Sequence, residues 1–249
     1  MKGPYGFELN ENCQICKLRG NGFFCQLPPA ALRDLDAVKL VSAYPQDAIL
    51  FMEKQTPRGI YVLCGGQLKL SVSSSEGKTL ILRIAKPGEV LGLMATLSNA
   101  PHETTAEALR PSQVAFIPRD AFLRFLRQHP EAYGAVIAQL GAHYQTACEQ
   151  LKTIGLCSSA PEKLAKLLLN FSDQGQQTKD GTSIRFSLTH EEIGEFIGTT
   201  RETVTRTMSQ FKSDHLIDLR GSTLHIRLCT RIRKSMQLAW ISESRGFGV

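Results

Sequence analysis

The stretch Leu188 to Ile217, LTHEEIGEFIGTTRETVTRTMSQFKSDHLI, constrains the fold more than any other part of this 249-residue chain. Thr189 with Glu192 three residues on forms a capping box, so a helix starts there, and Ile193, Phe196 and Ile197 give it an apolar face. Gly198 ends it, being free to adopt the left-handed conformation that terminates helices. Thr199 with Glu202 repeats the capping spacing, so a second helix begins within a few residues. Two short helices joined so tightly make a helix-turn-helix. On the second helix, at 3.6 residues per turn, Val204, Met208 and Phe211 share one side. Arg201, Glu202, Thr205, Arg206 and Ser209 share the other.

That outer face is either a solvated surface braced by a Glu202–Arg206 pair four residues apart, or a surface that reads DNA. Arginine bonds bidentately to guanine, glutamate accepts from cytosine N4, and threonine reaches a base or a phosphate. The residues that follow favour the second reading. Leu216 to Leu219 and Thr223 to Arg227 are predicted strands around Arg220-Gly221-Ser222, a hairpin resembling the wing of a winged helix. From Leu219 to Ser242 the chain holds Arg220, Arg227, Arg231, Arg233 and Lys234 and no acidic residue, which suits phosphate contact. The net charge of +6 has the sign that a polyanionic partner requires.

With 42% hydrophobic and 21% charged residues, the chain is a soluble globular protein rather than a disordered or fibrous one. It has no apolar run long enough to span a membrane, and its first residues lack a signal-peptide core, so a cytoplasmic location is expected. From about residue 40 to 118, short β-prone stretches alternate with Gly, Pro and Ser turns, the rhythm of an all-β sandwich, barrel or roll. The clearest strands are Ala48 to Met52, Ile60 to Cys64, Gln67 to Ser73, Thr79 to Ala85 and Gln113 to Ile117, with Gly65-Gly66 punctuating the second and third. Helices follow over Arg119 to Gln128 and from Pro130 to about Ile154. In the second of these, Tyr133, Ile137, Leu140, Tyr144, Ala147, Leu151 and Ile154 recur at steps of four and three, either a coiled-coil seam or a core stripe. Its length favours a two-fold dimer axis. Gly155 to Ser159 is a break, Pro161 opens another amphipathic helix through Phe171, and Ser172 to Thr182 reads as a polar loop.

A β-roll, a long helix and a C-terminal winged helix in this order resemble the CRP/FNR family of bacterial transcription regulators, with TTRETVTR, Thr199 to Arg206, similar to the family's recognition-helix signature. The resemblance covers nearly the whole chain. It implies an α+β fold with a cysteine-containing arm (1–29), a β-roll sensor domain (30–128), a dimerisation helix (129–155) and a winged helix-turn-helix domain (156–249). It also implies a homodimer on a palindromic operator with half-sites about one helical turn apart, and RNA polymerase as a partner. Thr200, Arg201, Glu202, Thr205, Arg206 and Ser209 then stand at DNA-facing positions. Coupling would run through the dimer helix to the separation of the two recognition helices.

In the family's cyclic-nucleotide branch a Gly-Glu pair and an Arg-Ser pair hold the phosphate. In the similar stretch here Leu93 follows Gly92, and Thr104-Thr105 stand for Arg-Ser, with Glu103 beside them. A buried phosphate would lack its charge-assisted partner, so cyclic AMP is not the expected ligand. The segment NCQICKLRGNGFFCQLP instead resembles the cysteine cluster of the FNR-like branch, where three such cysteines and a fourth in the roll hold an oxygen-labile four-iron four-sulfur (4Fe-4S) cluster. Cys13, Cys16 and Cys25 match, although the last gap is longer and the position similar to the distal cysteine is Ala115. Cys64 is the candidate fourth ligand. Zinc on these thiolates, a thiol–disulfide switch and a merely packed arm are the alternatives.

Cys148, Cys157 and Cys229 are expected to be small buried hydrophobes, and the histidines show no metal or catalytic spacing. An enzyme is not expected. A thiol oxidoreductase built on Cys13 and Cys16 would need a βαβ context that is missing, and no nucleophilic triad or carboxylate pair can be picked out. A roll that docks onto a protein partner is the remaining rival, disfavoured by the winged helix.

Overall fold

The computed structural model describes residues 5, 12–17, 22, 24–172, 175–178, 181–186 and 188–227. Arg231, Arg233, Lys234 and Cys229 lie outside the described residues. The chain divides into two compact units, 1–148 and 149–249.

The first unit begins with a 3-10 turn at Phe24–Gln26, followed by α1 (Pro29–Val38), whose proline at the helix start needs no N–H partner. Next come β1 (Leu40–Tyr44), β2 (Ile49–Phe51), β3 (Gly59–Ser73), β4 (Thr79–Ala85), β5 (Val90–Leu91), α2 (Leu93–Ser98), β6 (Thr105–Pro118) and α3 (Arg119–Gln128). The strands form one antiparallel sheet in the order β1-β6-β3-β4, with β2 also on β6 and β5 on β3. This is a jelly roll, the one of the all-β forms allowed by the turn rhythm that the family resemblance implies. Alternation along β3 and β6 makes two cores, one on each face of the sheet. Ile60, Val62, Ala115 and Ile117 face α1, α3 and Phe24, while Tyr61, Leu63 and Val114 face Phe51, Leu68 and Leu91.

Gly65-Gly66 is not a break between two strands. β3 runs straight through it, with register shifts against β6 at Leu63/Gly65 and Gly65/Gln67. Gly66 is needed because its φ is +90° and a Cβ there would stand 2.2 Å from Ser112 Oγ and 2.5 Å from the Pro111 carbonyl oxygen.

α4 (Ala132–Leu156) carries the seam. Ala132, Val136 and Gln139 are buried, with Leu140 half-buried against the same core. Tyr133, Ile137, Tyr144 and Leu151 are 44%, 69%, 73% and 70% exposed in the single chain. Most of the predicted stripe therefore faces away from its own protomer, so it is not a core stripe, and a neighbouring row of residues fixes the helix to the roll.

The second unit contains α5 (Ala160–Ser172), β7 (Gln176–Thr178), β8 (Gly181–Arg185), α6 (His190–Ile197), α7 (Arg201–Ser213), β9 (Ile217–Arg220) and β10 (Thr223–Arg227). Its antiparallel sheet has the order β7-β8-β10-β9, so the segment expected to be a loop after Ser172 contributes an edge strand. Leu164, Leu168, Ile193, Ile197, Val204, Met208, Leu224 and Ile226 are buried in this unit. Among the described residues no helix is long and apolar enough to cross a membrane.

Candidate functional site

Two places concentrate chemistry, the outer face of α7 and a cavity lined by cysteines. α6 starts with both halves of its capping box made: Thr189 Oγ1 accepts from Glu192 N–H (3.2 Å), and the Glu192 carboxylate accepts from Thr189 N–H (2.7 Å). Gly198 ends it at φ 66°. The next cap is Thr200, not Thr199. Thr199 N–H is used to close the end of α6 on the Gly194 carbonyl (2.9 Å), so Thr199 belongs to the turn and Thr200 Oγ1 accepts from Thr203 N–H (3.3 Å). A side chain at Gly194 would meet the Thr199 carbonyl oxygen at 2.8 Å, which is why the two helices can turn so closely.

On α7 Arg201, Glu202, Thr205, Arg206 and Ser209 are exposed, as is Thr200 at the cap, and Val204, Thr207, Met208 and Phe211 are buried. The Glu202–Arg206 brace is not made. The Glu202 carboxylate turns back to its own backbone N–H and the Thr200 hydroxyl, which hold its pKa below the usual carboxylate range. Thr205 Oγ1 donates to the Arg201 carbonyl (2.9 Å) and bonds His190 Nδ1 (2.8 Å), tying α7 to α6, and Ser209 Oγ donates to the Thr205 carbonyl. The Arg206 side chain has no ion pair or hydrogen bond among the described residues and projects as a free fork. In the β9–β10 hairpin, Asp218, just upstream of the stretch counted as free of acids, pairs with Arg220 (3.0 Å) and approaches Arg227 (3.8 Å). These two of the five expected phosphate-facing cations are therefore shared with a carboxylate.

The second place is a cavity on the helix-facing side of the roll, lined by Cys13, Cys16, Cys25 and Cys64 and otherwise by Phe24, Leu32, Leu35, Lys39, Val62, Ala115 and Ile117. Phe24 brings the arm there. Its ring is buried with edge-to-face contacts to Phe122 (6.0 Å) and Phe125 (6.4 Å) on α3, so the next residue, Cys25, is fixed at the cavity wall. Cys64 reaches it by the alternation of β3. Val62 pairs with Ala115, and Cys64, two residues on, returns to the same face at the register shift. The departure at Ala115 and the extra cysteine at Cys64 thus fall on adjacent strands around one space. Replacing Phe24 by alanine should cost about 3–5 kcal/mol of unfolding free energy. Chemical denaturation monitored by circular dichroism measures it, and a loss under 1 kcal/mol would show that the arm is not docked.

None of the four is joined in a disulfide. Burial pushes the Cys13 thiol up to about 11 and the Cys64 thiol up to about 12. Lys39 Nζ donates to Cys13 Sγ (3.1 Å) and to Asp36 Oδ1 (2.5 Å), and both Asp36 oxygens lie within 3.2 Å of Cys13 N–H. Sequence reasoning missed Asp36 and Lys39. Among the described residues, no three His, Cys, Asp or Glu side chains converge tightly enough to hold one metal ion. Cys148 and Cys157 are half-buried rather than buried.

In the stretch compared with the phosphate-holding pairs, Leu93 is buried in the apolar core and Thr105 Oγ1 accepts from Glu53 N–H (3.0 Å). Arg83 is paired with Glu89, which also lies 3.6 Å from His143 on α4.

The cyclic nucleotide-binding domain family matches residues 41–129, and the Crp-like helix-turn-helix domain family matches residues 162–234. The chain is 24% identical over 217 residues to the CRP-like cAMP-activated global transcriptional regulator of Mycobacterium tuberculosis, covering 85% of this chain and 96% of that one. It is 23% identical over 185 residues to the cAMP-activated global transcriptional regulator CRP of Pasteurella multocida, covering 74% and 88%. Among solved structures it resembles FixK2 from Bradyrhizobium japonicum (TM-score 0.70, 21% identity, 79% and 96% covered). It also resembles a CooA mutant from Carboxydothermus hydrogenoformans (TM-score 0.69, 18% identity, 85% and 91% covered). The two domain families lie in the order that the fold shows, a roll and then a helix-turn-helix, and with these relatives they place the chain in the CRP/FNR family of transcription regulators.

Proposed function

We propose that this regulator binds a palindromic DNA site as a homodimer and is controlled by a redox or gas signal through a 4Fe-4S cluster on Cys13, Cys16, Cys25 and Cys64. The observation that carries the effector reading is the single cavity that these four cysteines line. The site fits such a group. It offers four thiols in an otherwise apolar wall, with one buried ammonium to offset negative charge. Bound there, the cluster would supply one-electron and oxygen-sensitive chemistry. Zinc fits less well, because four thiolates on one ion must all lie about 2.3 Å from one point, whereas a cluster attaches each thiolate to a different iron.

A route from the cavity to α4 supports the coupling. Leu63, next to Cys64, accepts from Gly88 N–H (2.7 Å) and donates to the Glu89 carbonyl (2.9 Å). The following residue, Val90, is bonded through both its N–H and its carbonyl to the Gln139 side chain on α4. Further along α4, Gln150 Nε2 donates to the Phe196 carbonyl of α6 (2.6 Å). Displacing Cys64 would thus be felt at Gln139 of α4.

For DNA contact we assign base or phosphate contacts to Arg201, Glu202 and Arg206, with Thr200, Thr205 and Ser209 as flanking contacts. RNA polymerase as partner follows from the family likeness alone. Binding sites selected from genomic fragments provide the test. Arg206→Ala should weaken binding to the selected site by about 1–3 kcal/mol, roughly 5- to 150-fold, in fluorescence anisotropy at fixed salt. Unchanged affinity for both Arg206→Ala and Arg201→Ala would remove α7 as the DNA-reading helix and favour docking onto a protein.

A further inference from the structure

The Lys39 side chain is only 4% exposed and lines the four-cysteine cavity. Its ammonium contacts two groups, the Asp36 carboxylate and the Cys13 sulfur. Asp36 in turn accepts from Cys13 N–H through both oxygens, so Cys13, Asp36 and Lys39 form a closed triangle. α1 ends at Val38 and its last turn carries Asp36, so a rigid element supplies the acid and Lys39, the cap residue, supplies the base. An ammonium has three donors, and the sulfur and the carboxylate take two. A buried cation is expensive unless it offsets negative charge, and apart from Lys39 itself and the four thiols the cavity wall is apolar.

We propose that Lys39, oriented by Asp36, is the positioning and charge-compensating residue of the four-cysteine site, donating to the Cys13 sulfur when that sulfur is a thiolate ligand. This rests on the cluster reading above. Four thiolates on an oxidised 4Fe-4S core of charge 2+ leave a net charge of 2−, and adding one electron makes it 3−. A fixed cation beside one sulfur stabilises the reduced state more than the oxidised one, so it raises the reduction potential. It acts on the cluster's energetics without ligating it.

The test is a reductive titration of the anaerobically reconstituted full chain, followed by electron paramagnetic resonance, in wild type, Lys39→Met, Lys39→Arg and the double variant Asp36→Asn/Lys39→Met. The double variant guards against misfolding, since it leaves no unpaired carboxylate. The expected result is at least a tenfold fall in the reduced-to-oxidised ratio at fixed ambient potential in both methionine variants, about 59 mV for a one-electron couple. Lys39→Arg should recover most of it. Folded methionine variants that fail to retain iron while Lys39→Arg retains it also support the positioning role. Wild-type potential in an iron-loaded methionine variant, or an arginine variant no better than methionine, overturns the inference and leaves the cluster reading standing. A wild-type chain that takes up no iron and sulfide overturns the cluster reading, and this inference with it.

Discussion

Cys64→Ser is expected to lower the iron and sulfide retained after anaerobic reconstitution by about tenfold or more, because a serine hydroxyl is a poor substitute for a soft thiolate on iron. Folding should be little affected. Cys64 is a bulge residue whose thiol makes only a weak 3.6 Å contact to the Val62 carbonyl, so serine of nearly the same size fits without removing core volume. The same substitution at Cys148 or Cys157, which do not line the cavity, should leave iron unchanged. Iron and acid-labile sulfide analysis, with melting curves as a control for folding, separates the cases. Equal losses at Cys64 and Cys148 would mean that the cysteines matter to stability and not to a site.

Ile137→Glu should dissociate the homodimer without unfolding the protomer. The four large exposed seam residues Tyr133, Ile137, Tyr144 and Leu151 are each worth about 1.5–3 kcal/mol when covered, and a two-fold interface counts every one twice. A carboxylate at Ile137 removes that term and faces its symmetry mate near the axis. Weakening of the dimer by 100-fold or more, about 2.8 kcal/mol, is expected in sedimentation equilibrium, with operator affinity falling in parallel. Because Ile137 contributes nothing to its own protomer's core, the unfolding midpoint of the monomer should not move. A variant that still sediments as a dimer would show that α4 is not the subunit contact.

What was legible in the sequence was local. The capping box of Thr189 and Glu192 and the stop at Gly198 lie within one or two helical turns, so spacing alone locates α6. Even there two adjacent threonines left the next cap one residue off, since only the bond from Thr199 N–H to Gly194 decides between them. The seam on α4 was legible as a stripe, but its exposure depends on which neighbouring residues the roll covers. The roll itself was under-read at Gly65-Gly66, where a pair of glycines looks like a turn although Ser112 on β6 is what requires Gly66. The cysteine site shows the same limit. Cys13, Cys16 and Cys25 stand out by spacing, whereas Cys64 is brought to them by the packing of the arm on one face of β3. Lys39 meets Cys13 across 26 residues because the arm folds back over the end of α1, which no local period encodes. The missing brace between Glu202 and Arg206 has a similar origin, as the helix start competes for the carboxylate.

The most direct measurement of the central claim is an absorbance spectrum of the chain purified without air, with iron, sulfide and zinc determined on the same sample and the spectrum repeated after exposure to air. A brown protein holding about four irons and four sulfides per chain, bleaching in air and losing operator affinity as it does so, is the predicted result. A colourless protein that takes up neither iron nor sulfide, even after anaerobic reconstitution, would contradict the account.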